Sequence, residues 1–219
     1  MKYAREDWLK EPSGVIPFAM WLNEGLPVDR LRDALITSGF FVVVYEHLYY
    51  VVVRKLLELH ETGGDGEWIY VSDDYEREVL ALDPEGKKRR FESSLEWLAH
   101  RGVLDRQNIT EMQDIRTARH ELAHNLTELL PSFDSGRYTR LFKEMVRLLE
   151  KVDTWWTREF DLPVSWAAAG HEGEPVLSSV RSVQASFLGL IYDLVLEHDP
   201  LSERRLEALL HSARDRDGS

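Results

Sequence analysis

Cysteine is absent from the 219-residue chain, which excludes disulfides, thiolate-bound zinc and thiol catalysis. Chains without cysteine suit a reducing compartment. The N-terminal stretch MKYAREDWLKEPSG is charged from Lys2 onward and offers no apolar signal core, so a cytoplasmic protein is expected. Basic residues are also in short supply. Lys and Arg number 27 against 39 Asp and Glu, leaving a net charge of −12. Such a balance does not suggest broad, non-specific nucleic-acid binding, which needs a basic surface, and any RNA site must be a local basic pocket. The chain has no repeat period and no low-complexity linker. Its Gly and Pro clusters, at 11–14, 61–67, 83–86, 131–136 and 167–175, separate elements rather than domains.

Long apolar runs are limited to one, ALITSGFFVVVYEHLYYVVV at 34–53, about long enough to cross a bilayer. Glu46 and His47 fall near its middle, and a carboxylate there costs roughly 2.5–3.5 kcal/mol even on the lenient insertion scale. A buried core helix is the cheaper reading, and no membrane span is expected.

What is present is core material. Apolar residues make up 43%, with seven Trp, eight Tyr and eight Phe. They recur at threes and fours, the helical period, which predicts helices near 28–60, 73–81, 87–101, 109–130, 136–160, 176–198 and 201–214. FFVVVYEHLYYVVV favours strand by local propensity, but it runs without a turn into RKLLELHE and exceeds a strand's length. EWIYV at 67–71 is the other strand candidate, as half of a hairpin. The expected class is all-α, an up-down helical bundle with extra C-terminal helices. Residues 1–131 would hold the core and 132–219 a helical part packed on it.

The chemistry concentrates in QDIRTARHELAHNLTELL, residues 113–130. Asn108 followed by Glu111 is a capping-box-like signal, so the helix starts about three turns before His120, and Pro131 marks its end. At about 100° per residue, Ile115, Leu122, Leu126 and Leu129 fall in one arc, with Met112 and Leu130 at its edge. Arg119 projects into the middle of that arc, and His120 and His124 stand beside it, one turn apart. A guanidinium cannot be deprotonated and is costly to bury alone. Arg119 therefore needs a buried carboxylate partner, a polar cleft or another subunit.

Two chemistries fit these residues, beside the plain reading in which helical Arg and His are simply solvated. His120-Glu121-Leu122-Ala123-His124 spells HExxH, where His at i and i+4 ligate zinc and the intervening Glu is general base. Glu144 is a third ligand on paper, but the long helical run before His120 leaves little room for the edge strand on which such peptidases hold substrate. Shifted by one residue, the segment reads Arg119-His120-x-x-x-His124. With the lead-in SLEWLAHRGVLDRQNITEMQDIRTARHELAHNL, 94–126, it resembles the HEPN superfamily of helical domains, whose motif is an Arg, a polar residue, three variable residues and a His.

The resemblance implies two copies pairing their motifs in one cleft and a metal-independent endoribonuclease without cofactor. It makes Arg119, His120 and His124 the catalytic residues. The side chains suit this role. The 2′-hydroxyl of RNA is an internal nucleophile, histidine titrates near neutrality, and arginine grips phosphate bidentately. Arg116 and Asn125 are the expected substrate contacts, and Glu46 is the partner of Arg119 or an accessory group. Lys87, Lys88, Arg89 and Arg90 read as a solvated charge run or an RNA backbone contact, and Trp155 and Trp156 as core. The implied partners are RNA, a second copy and an antitoxin, in a toxin or phage-defence setting. The alternatives are a non-catalytic RNA- or partner-binding HEPN module, and a zinc metallopeptidase using His120, His124 and Glu144 with Glu121 as base.

Overall fold

The first helix, α1, runs over Val28–Leu59 and is the centre about which the others pack. The computed structural model describes residues 28–64, 69–169 and 181–195, with 201, 202, 204 and 206 beyond them. The N-terminal stretch to residue 27 and most of the expected helix at 201–214 lie outside the described residues. Strand propensity in α1 yields to burial. Val51, Val52 and Val53 are all fully buried, which no single narrow face of an α-helix allows. The helix answers with a π turn over Tyr50–Arg54. The carbonyl of Val51 there accepts the indole N–H of Trp156 at 2.7 Å, in the core. Among the described residues α1 is the one helix long and apolar enough to cross a membrane, yet half of its most apolar window is buried against the other helices.

A short hairpin follows: β1, Glu61–Gly64, pairs antiparallel with β2, Ile69–Val71. A bulge between Glu61 and Gly63 sets Gly63 at φ +146°, a conformation that favours glycine. A π turn, Tyr75–Val79, and a 3-10 turn, Leu80–Leu82, occupy the place of the expected helix at 73–81. Next, the buried Asp83 carboxylate takes a fork of two bonds from the Arg89 guanidinium, at 2.8 and 3.1 Å, and backbone N–H bonds from Arg89 and Glu85. Within the charge run, then, Arg89 is a latch. Lys87 pairs with Glu85, and Lys88 with Glu76.

Helix α2, Arg90–His100, ends in a left-handed turn at Gly102. The Gly102 N–H donates to Ala99 and the Val103 N–H to Leu98, closing the orphan carbonyls while Val103 is buried. Asp105 then caps α3, Arg106–His124. The capping box is displaced from the sequence reading: Asp105 is the cap and Asn108 the third helical residue, each side chain bonding the other's backbone N–H. The helix also stops short of Pro131. Asn125 leaves helical geometry at φ −122°, ψ 19°, and its carbonyl opens a separate turn, α4, Leu126–Leu129. That break lets Leu126 and Leu129 pack on the core from a new direction.

Helix α5, Ser135–Trp156, continues through a π turn, Thr157–Asp161, into α6, Leu162–Ala168, so helix extends well past residue 160. It packs on α1 and runs antiparallel to α3. The register is written in polar contacts: Glu121 to Arg137 at 2.7 Å, Glu111 to Arg147 at 2.5 Å and Asn108 to Lys151 at 2.6 Å. Ten residues forward on one helix match ten back on the other. The helix after Pro131 is thus built into the same core as α1 and α3. Trp155 and Trp156 join Trp97 and Phe160 in an aromatic cluster. Helix α7, Val183–Val195, lies on α5, where Tyr192 stacks on Phe142. The described residues are mostly helical with one small hairpin, an all-α protein.

Candidate functional site

The buried side of α3 is Asn108, Met112, Ile115, Ala118 and Leu122. Arg119 lies at the margin of that side, not in its middle, with 31% of its side chain exposed. The sequence left three settings open for it, and a carboxylate partner is there: Nη2 donates to Oε1 of Glu46 on α1 at 2.9 Å. That partner is not buried, since 55% of the Glu46 side chain is exposed. The Nε–H of Arg119 is buried with no acceptor. A buried guanidinium donor left unmet asks for an explanation.

An aromatic row underlies this margin. Tyr49 stacks parallel on Phe91 at 6.2 Å, and Tyr45 touches Tyr49. The Arg119 guanidinium lies 5.5 Å from the Tyr45 ring and that of Arg116 5.0 Å from Phe91, at cation–π range. Burial pushes the Tyr45 hydroxyl above its ordinary pKa, against the pull of Arg116 and Arg119. Arg116 is bonded to Glu92 of α2 at 2.5 Å, and the second oxygen of Glu92 is buried without a donor. Two arginines of α3 are thus set on an aromatic floor, each with a carboxylate from a neighbouring helix. Sequence reasoning missed Tyr45, Tyr49, Phe91 and Glu92. The one signal available was the four-residue spacing of the two tyrosines beside Glu46.

His120 and His124 are both exposed, with ring centroids 4.5 Å apart at the C-terminal end of α3. Asn125 is exposed at the helix break directly after them. Glu121, between the histidines in sequence, points elsewhere: it binds Arg137 of α5, and Tyr138 reaches the same oxygen at 3.5 Å. Glu144 is bonded to Arg147 at 2.8 Å. Among the described residues no three His, Cys, Asp or Glu side chains converge. The two histidines of the HExxH reading therefore stand together, while its base and its third ligand are engaged in the α3–α5 seam and in α5.

The geometry offers a fixed, half-buried cation with an unmet donor and an accessible imidazole pair on one helical turn. It suits gripping an anion and moving protons beside it. No protein-family model, curated protein or solved structure matches the chain.

Proposed function

We propose that the protein is a metal-independent endoribonuclease of HEPN type, with a HEPN-like bundle, acting in the cytoplasm as a homodimer in a toxin or phage-defence setting. Arg119 would hold the scissile phosphate. His124 would take the proton of the 2′-hydroxyl as its oxygen attacks phosphorus, and His120 would protonate the departing 5′-oxygen. The P–O5′ bond breaks as the P–O2′ bond forms, leaving a 2′,3′-cyclic phosphate, so neither water nor metal is needed in this step. The observations that carry the reading are the unmet Nε–H of Arg119 and, next in sequence on the same helix, the exposed pair His120 and His124.

The dimer draws support from α1. Ile36, Val43 and Tyr50 are exposed at intervals of seven, with exposed Gly39 and Glu46 between them. This is the a/d spacing of a helix–helix seam. A second copy laid on this stripe about a two-fold axis would bring two Glu46–Arg119 pairs to one line. A non-catalytic RNA- or partner-binding module is the second reading. It is favoured by the carboxylates already held by Arg119 and Arg116.

Incubating RNA with the protein in EDTA separates the two. The nuclease reading expects cleavage that is reduced about 10²–10³-fold in Arg119→Ala, a loss typical of removing one group that stabilises developing charge, and abolished in His124→Ala. RNA binding without cleavage would establish the second reading.

A further inference from the structure

A second basic site lies at the other end of the α3–α5 seam. Arg147, Lys151, Thr154 and Arg158 follow at steps of four, three and four residues, so they share one face of α5 and its π turn. With Glu150 and Arg181 they line an open cleft of about 380 Å³. Cations outnumber anions on its walls four to one, in a chain of net charge −12.

Four features build the cleft. The Ser182 hydroxyl donates to buried Asp153 at 2.8 Å and accepts the N–H of Ala185 at 2.9 Å, which pins the start of α7, and with it Arg181, against α5. The Thr154 hydroxyl is buried without a hydrogen-bond partner, a donor within the row of cations. Lys151 donates to the side-chain oxygen of Asn108, a neutral acceptor, and makes no ion pair among the described residues. Arg147, held by Glu111 and Glu144, fixes one edge.

From Arg147 to Arg158 the row is about 16 Å long. That exceeds a single phosphate and matches a linear polyanion with charges at regular intervals. Guanidinium, ammonium and hydroxyl donors in a line are the groups that contact a nucleic-acid backbone. We infer that this cleft binds the phosphate backbone of an RNA strand and anchors it away from the point of cleavage. The inference rests on the RNA reading proposed above. Asn108, which meets Lys151, lies about 16 Å along α3 from Arg119, so one extended strand reaches both.

The test is fluorescence anisotropy of a labelled single-stranded RNA on the full chain over a range of salt. His124→Ala is the common background, so that the RNA stays intact. Adding Lys151→Gln and Arg181→Gln, both exposed positions, is expected to weaken binding at least about tenfold. The slope of log affinity against log salt should fall by about 0.7 for each lost contact. Charge reversal at Lys151 should weaken binding further. Pyrophosphate, too short for the row, should compete poorly, and so should oligoglutamate. Unchanged affinity and slope in the double variant would overturn the inference, as would competition by oligoglutamate equal to that of RNA. If the native chain binds RNA through these residues and cleaves nothing, the nuclease reading falls while RNA binding by this cleft stands. If cleavage depends on Arg119 and His124 while Lys151→Gln/Arg181→Gln binds normally, the reverse holds.

Discussion

Arg119 of α3 and Glu46 of α1, seventy-three positions apart in the chain, meet at 2.9 Å at the edge of the core. The pair is too exposed to matter much for folding, because solvent screens it, and such pairs contribute about 0–1 kcal/mol. Its effect is to hold the guanidinium in one orientation over Tyr45. Glu46→Gln should therefore leave the thermal midpoint within a few degrees of the native value. RNA cleavage should fall by about 10²-fold, the scale of a misplaced catalytic group. Equal losses in stability and activity would mark Glu46 as structural only.

The Asp83–Arg89 latch predicts an acid sensitivity. The Arg89 guanidinium, against the effect of burial and with backbone N–H bonds from Arg89 and Glu85, holds the Asp83 carboxyl well below the usual carboxylate range. In the unfolded chain the same group titrates near about 3.9. The folded state binds that proton less readily, so the stabilisation is complete above the unfolded pKa and is lost as pH falls toward the folded value. Asp83→Asn should unfold at a lower temperature at neutral pH, and the gap between variant and native midpoints should shrink below pH 4. Thermal scans at neutral and acid pH measure both.

Trp156 bonds the carbonyl of Val51 within the core, joining α5 to the π turn of α1. Trp156→Phe keeps most of the ring and removes the donor. The expected loss is about 1–3 kcal/mol, the cost of leaving a buried acceptor unmet. Leu148→Ala, at a fully buried position on the same helix, should cost about 2–5 kcal/mol through the cavity it leaves. Denaturant titrations rank the two.

These contacts mark where the sequence was legible. The helical period predicted α1, α2 and α5 closely, because their buried residues recur at threes and fours. The hairpin at EWIYV was legible from its β-branched and aromatic residues. The π turn of α1 was not, since it answers to three consecutive buried valines meeting Trp156, a tertiary event. The break at Asn125 was hidden by the apolar period of Leu126 and Leu129, which continues through it. Glu46 was identifiable as an acid in an apolar helix, but its exposure was not. The cleft along Arg147, Lys151, Thr154 and Arg158 needs Arg181 from a distant segment and so escaped notice.

Val43, half exposed at the centre of the α1 stripe, tests the dimer. Val43→Asp places a charge in the proposed seam and nothing in the core. Sedimentation should show a native dimer and a variant monomer, with cleavage lost in parallel. A native monomer that cleaves RNA would remove the two-fold arrangement from the account.

The most direct measurement is the chemistry of the cut end. RNA incubated with the native chain in EDTA should yield fragments ending in 2′,3′-cyclic phosphate, and a single 2′-deoxy substitution at the cut position should block the reaction. Arg119→Ala should give about 10²–10³-fold less of this product, and His124→Ala none. Fragments ending in a free 3′-hydroxyl, or cyclic ends that persist in both variants, would contradict the assignment of Arg119 and His124.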